Sequence, residues 1–183
     1  MQSVFAYQQI SESVFNVRDE TLQISASSYY SPNLEAPFRA IFGPESSATE
    51  AANQWTTATQ SYLYGQFTGT YSCCVTLVDD QSIMGEWLQV QSSVPHAMKE
   101  FSIMSNFLNP MRAPKAFVLA GSNDGIEWTL LHRESDIELW EPKQTRTFQI
   151  GRLLPLTHFR LIVSSTAGMD GWLTIDKLHF YGD

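Results

Sequence analysis

The side chains best able to do chemistry in this chain are four histidines, two cysteines and a few groups of carboxylates. His96, His132, His158 and His179 could move protons near neutral pH or ligate a metal. They form no His-x-x-x-His pair, and each falls in a loop or at a strand end, where a surface or hydrogen-bonded histidine is expected. Cys73 and Cys74 are adjacent, so on a strand their thiols point to opposite faces and a bridge between them strains the backbone. They are expected to be reduced, and without companion Cys or His residues they make no zinc site. Asp79 and Asp80 could share a cation, and Glu134, Asp136, Glu138 and Glu141 crowd around Trp140. Glycoside hydrolysis needs two carboxylates facing each other across a groove. Carboxylates strung along an edge serve solubility instead. No Gly-x-Ser-x-Gly elbow, P-loop or Gly-x-Gly-x-x-Gly occurs. The expectation is a chain that is not an enzyme, with no catalytic residues and no cofactor.

Aromatic residues make up 13% of the chain. The C–H faces of a sugar stack on such rings, and polar groups beside them fix the sugar's orientation. Trp55, Trp87 and Trp128 lie in strand-like surroundings and are expected in the core. Tyr29, Tyr30, Phe107, Trp140 and Trp172 fall in loops. The candidate ligand-binding residues are therefore Tyr30, Asn106, Phe107, Arg112, Trp140 and Trp172, with Asn109 as a further hydrogen-bonding group beside Phe107.

Short strands must position these residues. Alternating apolar side chains predict strands over Thr21–Ser25, Glu86–Gln91, Lys99–Met104, Lys115–Ser122, Glu127–Arg133, Arg146–Ile150, His158–Ser164 and Trp172–Tyr181, with Val14–Val17 as a weaker candidate. Asn123-Asp124-Gly125 predicts a tight hairpin turn, because Asp-Gly supplies positive φ. The alternation slips near Asp176, which predicts a bulge. Ser-rich Ser25–Ser31 and Pro44–Asn53 are expected to be loops, and Phe38–Phe42 a single helical turn. No sustained 3.6 periodicity appears, so the class is all-β, a sandwich or barrel.

At 183 residues and 20.7 kDa the chain is one domain. Hydrophobic residues are 43% and charged residues 16%, which suits a packed core rather than disorder. A net charge of -8 argues against nucleic acid and anionic membrane surfaces as partners; Arg112–Lys115 is the one basic candidate. No apolar run approaches ~20 residues, so no membrane insertion is expected. The stretch beginning Met1-Gln-Ser-Val-Phe lacks a basic region followed by an apolar one, so no signal peptide and synthesis in the cytoplasm are expected.

Several motifs carry a family likeness. Gly85-Glu-Trp-Leu-Gln-Val-Gln91 followed by Pro114-Lys-Ala-Phe-Val-Leu-Ala-Gly-Ser-Asn-Asp-Gly-Ile-Glu-Trp-Thr-Leu-Leu131 resembles the discoidin group, also called coagulation-factor C-type or galactose-binding-like domains. Thr147–Ile150, His158–Val163 and Leu173–Gly182 resemble its closing strands, and Ala26–Pro32, Phe38–Gly43 and Gln54–Thr57 its opening loop, first turn and Trp motif. The resemblance covers residues 24–183 and leaves 1–23 as an extension or extra strand, packed on this domain or on a partner. It implies an eight-stranded jelly-roll β-sandwich with ligand loops at one end. The Gly-Glu-Trp-Leu-Gln and Ser-Asn-Asp-Gly version is similar to domains of large DNA viruses. That implies a minor capsid or other virion component, made in the host cytoplasm and binding neighbouring proteins. The alternative is a carbohydrate-binding module that attaches to glycans or a host surface. Many members hold a structural Ca²⁺ near an Ala-Phe-Asp-Gly turn. Here that turn reads Ala40-Ile41-Phe42-Gly43, with Phe42 at the position of the Asp. Losing a charged oxygen ligand weakens such a site, so Ca²⁺ is not expected, and Asp176 is left as a weak residual metal candidate.

Overall fold

Side chains alternate across a strand, so the apolar residues of Glu86–Gln91 and His158–Ser164 each make one continuous inner row. The structure, a computed structural model, describes residues 13–17, 20–31, 35–43, 45, 53–58, 60–69 and 72–182. Its strands are β1 (Ser13–Val17), β2 (Glu20–Ala26), β3 (Trp55–Thr56), β4 (Tyr62–Leu63), β5 (Gln66–Phe67), β6 (Val75–Val78) and β7 (Gln81–Met84). They continue as β8 (Glu86–Met104), β9 (Pro114–Ser122), β10 (Thr129–Ser135), β11 (Thr145–Gln149), β12 (Pro155–Thr166), β13 (Thr174–Ile175) and β14 (Lys177–Gly182). One short helix, α1 (Pro37–Phe42), starts on a proline, whose fixed φ suits the first helical position.

β8 runs for 19 residues and belongs to both layers. Its first half pairs with β2 and β12 in a sheet continued by β9 and β10. Its second half pairs with β11 and β14 in the opposite sheet. The strands predicted at Glu86–Gln91 and Lys99–Met104 are thus one strand that changes sheets. With its halves taken separately, β8 joins β2, β12, β9 and β10 in the first layer and β11 and β14 in the second, and β1, β4 and β5 extend the first layer beyond the eight strands expected of a jelly roll.

Register aligns the inner rows. Ala26, Leu88, Leu161 and Leu119 are cross-strand partners, as are Ile24, Val90 and Phe159. From the other sheet Phe148, Phe101 and Phe180 align. Phe101 stacks on Phe148 at 5.2 Å and meets Phe117 edge-on at 6.2 Å. Each such side chain, once buried, contributes about 1.5–3 kcal/mol, and Trp55, Trp140, Leu173 and Ile175 complete this core.

A second apolar cluster sits on the outer face of the first sheet. Val78, Trp87, Val118, Ala120, Trp128 and Ile162 pack there with Ile83 of the β6–β7 hairpin. The Gly85-Glu-Trp motif serves this crossing. A Cβ on Gly85 would stand 2.1 Å from the Val163 carbonyl oxygen, so only glycine lets the backbones meet. Glu86 is fully buried and accepts hydroxyl hydrogen bonds from Ser27, Ser28 and Ser61.

Three local expectations change. Ser25–Ser31 is not simply a loop: Ser25 and Ala26 end β2, and the buried Glu86 carboxylate draws in the hydroxyls of Ser27 and Ser28. The Asn123–Gly125 turn is wider than a two-residue hairpin, because β10 begins only at Thr129. There the Asp124 carboxylate accepts the amides of Ile126 and Glu127 and the Ser122 hydroxyl, which hold its carboxyl below the usual range. Trp172–Tyr181 is broken at Asp176 into β13 and β14, where the slip in alternation falls. Most of Pro44–Asn53 lies outside the described residues, as do positions 1–12. Within the N-terminal stretch, β1 pairs antiparallel with β2 at the edge of this domain's own sheet.

Candidate functional site

Three loops meet at one end of the sandwich: the stretch after β2, the connection from β8 to β9, and the connection from β12 to β13. Backbone bonds hold them to one another and to β3 and β4. Tyr30 donates its amide to the Thr56 carbonyl, Ala167 to Ala113, and Tyr62 to Gly171. Gly168 packs against the Met111 carbonyl, where a Cβ would stand at 2.9 Å. Gly171 holds φ +89°, which only glycine adopts readily.

This framework brings Tyr30, Arg112 and Trp172 together. Tyr30 is 60% exposed and meets the half-buried Trp172 edge-on, with ring centroids 5.2 Å apart. The Arg112 guanidinium carbon lies 5.9 Å from the Trp172 ring. Arg112 also forms an ion pair with Asp170, whose other oxygen accepts the Trp172 amide at 3.3 Å. Tyr30, Arg112 and Trp172 line, with Glu35 and Thr56, a recess of about 260 Å³. A second recess of about 290 Å³ shares Arg112 and runs from Leu108 and Asn109 to Met169 and Asp170. The surface thus offers an aromatic face beside a paired cation and carboxylate. That combination can stack an apolar ligand face and hydrogen-bond the groups around its edge.

The remaining candidates sit elsewhere or act differently. Trp140 is 1% exposed, and its indole N–H donates to the Pro114 carbonyl at 3.0 Å. It is a core residue with the Arg146 guanidinium over its ring at 4.9 Å, so no ligand reaches it as a loop-surface platform. Asn106 is also 1% exposed. Its amide donates to Gln54, and its oxygen accepts the amides of Leu108 and Asn109 at 3.0 and 2.9 Å, so it shapes the loop rather than facing solvent. Phe107 is half-buried beside it and lines neither recess. Asp170, Glu35 and Thr56 escaped sequence reasoning. Asp170 alone left a signal, standing in the Gly168-Met-Asp-Gly171 run just before Trp172.

Asp176 is fully buried and does not face an open cation site; the Lys177 ammonium lies against it. Among the described residues no group of three or more His, Cys, Asp and Glu side chains is placed to hold a metal, and no helix is long and apolar enough to cross a membrane. A larger recess of about 340 Å³ opens between the sheets, lined mostly by carbon from Leu22, Ile41, Val90, Met98 and Phe159, with a His96–Glu20 contact of 2.8 Å. It has bulk but few groups to orient a ligand.

No family model matches the sequence, and no curated protein matches it. Solved structures do match its fold. The F5/8 type C domain of a Bacteroides fragilis protein aligns with TM-score 0.62 at 13% identity, covering 94% of this chain and 97% of that one. A Clostridium perfringens CBM32-5 module, solved in complex with GalNAc-β-1,3-galactose, aligns with TM-score 0.61 at 13% identity over 88% of this chain and 95% of that one. The family 32 CBM of Clostridium perfringens NanJ, in complex with galactose, gives TM-score 0.56 at 14% identity, over 87% and 92%. The fold is the β-sandwich that these F5/8 type C and CBM32 domains share.

Proposed function

We propose that the chain is a non-catalytic carbohydrate-binding module that takes a neutral, galactose-type sugar at the Tyr30–Trp172 corner. The observation that carries this is the convergence of Tyr30, Trp172 and Arg112 on one recess at the loop end of the sandwich, with Asp170 paired to Arg112 in the recess beside it. The solved sandwiches with galactose and GalNAc-β-1,3-galactose bound lend the sugar class. In this scheme the Trp172 ring stacks on the C–H face of the sugar and Tyr30 forms a wall. Arg112 donates to sugar hydroxyls, and Asp170 accepts from them. Asp170 balances the charge of Arg112, and Glu35 leaves the recess negative, so neutral sugars are favoured over acidic ones. A glycan array followed by calorimetry with galactose tests this. Galactose-terminated glycans should bind, and a clean negative with folded protein would reject the proposal.

A structural role in a viral particle, with protein neighbours and synthesis in the host cytoplasm, is a separate proposal that rests on motif likeness alone. Mass spectrometry of purified particles tests it, and absence of the chain from them ends it.

A further inference from the structure

Lys177 is a lysine in the wrong place for a surface charge. It opens β14 yet is only 3% exposed. Its ammonium lies among oxygens from three separate segments of the chain. The Asn53 carbonyl is at 2.8 Å, the Asp176 carbonyl at 2.6 Å, and the Arg39 carbonyl and the Asp176 carboxylate each at 3.4 Å. Arg39 belongs to α1, Asn53 leads into β3, and Asp176 is the residue between β13 and β14. Other bonds hold this cage in place: the Arg39 side chain donates to Asn53 Oδ1 at 2.9 Å, and the Asp176 amide to the Met104 carbonyl at 3.0 Å.

Carbonyl and carboxylate oxygens converging from several segments are what a hard cation such as Ca²⁺ requires. The resemblance to Ca²⁺-binding relatives placed such an ion beside the Ala40–Gly43 turn, with Asp176 as the surviving acid. The residues present do not fit that ion. The centre is already taken by a positive charge, and three of the four oxygens stand 2.8–3.4 Å from it, beyond the ~2.3–2.6 Å of Ca²⁺–oxygen contacts. A divalent ion would have to expel an ammonium that is covalently tethered to its own cage. We propose that Lys177 is the resident cation of this site: its ammonium does the cross-linking of α1, the β3 approach and β14 that a metal would do, and Ca²⁺ has no place there.

The inference does not depend on what the loop end binds, and thermal unfolding tests it directly. The wild-type midpoint should be the same in excess Ca²⁺ and in chelator; a saturable rise with Ca²⁺ would overturn the proposal. Lys177→Met keeps the apolar stem and removes the charge, leaving buried oxygens without their cation. Its midpoint should fall by roughly 10 °C, and a midpoint equal to wild type would also count against the proposal. Should that variant fail to fold, amine labelling of the native wild-type chain still decides the matter. Lys99, Lys115 and Lys143 should be modified while Lys177 stays protected, and labelling of Lys177 as fast as the others would refute it.

Discussion

Arg160 and Arg112 both lie against tryptophan. The Arg160 guanidinium carbon is 4.2 Å from each of the Trp87 and Trp128 ring centroids, and that of Arg112 is 5.9 Å from Trp172. Their surroundings differ. Arg160 gives two bonds to Gln89 Oε1 at 2.9 and 2.7 Å and a third to Thr76 Oγ1 at 3.0 Å, beneath the β6–β7 hairpin. Burial pulls it down to about 10, which still leaves it charged at neutral pH. Arg112 is opposed by a carboxylate that is itself 46% exposed, next to an open recess. The same pairing is therefore a clamp in one place and a contact surface in the other. What separates them is whether a hairpin covers the rings.

Arg160→Met should have the largest effect. It removes the cation between two rings and leaves Gln89 without its donors in a part-buried setting. It should cost about 2–4 kcal/mol in urea unfolding while leaving glycan affinity of the folded fraction unchanged. Trp172→Ala should do the converse. Galactose affinity should fall about tenfold or more, equivalent to ~1.4 kcal/mol, with little change in the unfolding midpoint. Calorimetry and a thermal melt on one sample separate the two. Arg112→Ala should weaken binding by a few-fold, since the ring remains, and unaltered affinity would remove Arg112 from the site.

The smallest effect is a pH dependence of the covered region. His158 is edge-on to Trp128, with centroids 6.3 Å apart, and burial first, then the nearby Arg160 charge, hold its pKa below the ordinary 6.5. The folded state therefore resists protonation that the unfolded chain accepts. This contribution to stability is complete above pH 6.5, and declines as pH falls below 6.5 toward the lowered folded value. Denaturant midpoints at stepped pH should show this decline in wild type and lose it in His158→Gln.

Much of the sandwich was legible in the residue order, because period-two alternation is a local property that each strand carries itself. Leu88 and Val90, or Phe159, Leu161 and Val163, face inward whatever their neighbours are. The helical turn at Phe38–Phe42 was read from the sequence, and the break at Asp176 was marked by the slip in alternation. The loop end was only partly legible. Tyr30, Arg112 and Trp172 stood out by residue type, but Trp140 carried the same signal and lies in the core. An aromatic in a polar stretch of sequence can turn either way, and the carbonyl of Pro114, 26 residues upstream, decides which.

Alternation, turn chemistry and charge, all written along the chain, settled the all-β class and the inward rows. Only tertiary structure decided that Trp87 and Trp128 grip Arg160 under a hairpin while Trp172 stays half-buried beside a recess. It alone joined Arg39, Asn53 and Asp176 around one lysine. Those outcomes depend on the Arg39 and Asn53 carbonyls, each over a hundred positions from Lys177, and on rings tens of positions from Arg160, and long-range meetings of that kind leave no periodic trace in a sequence.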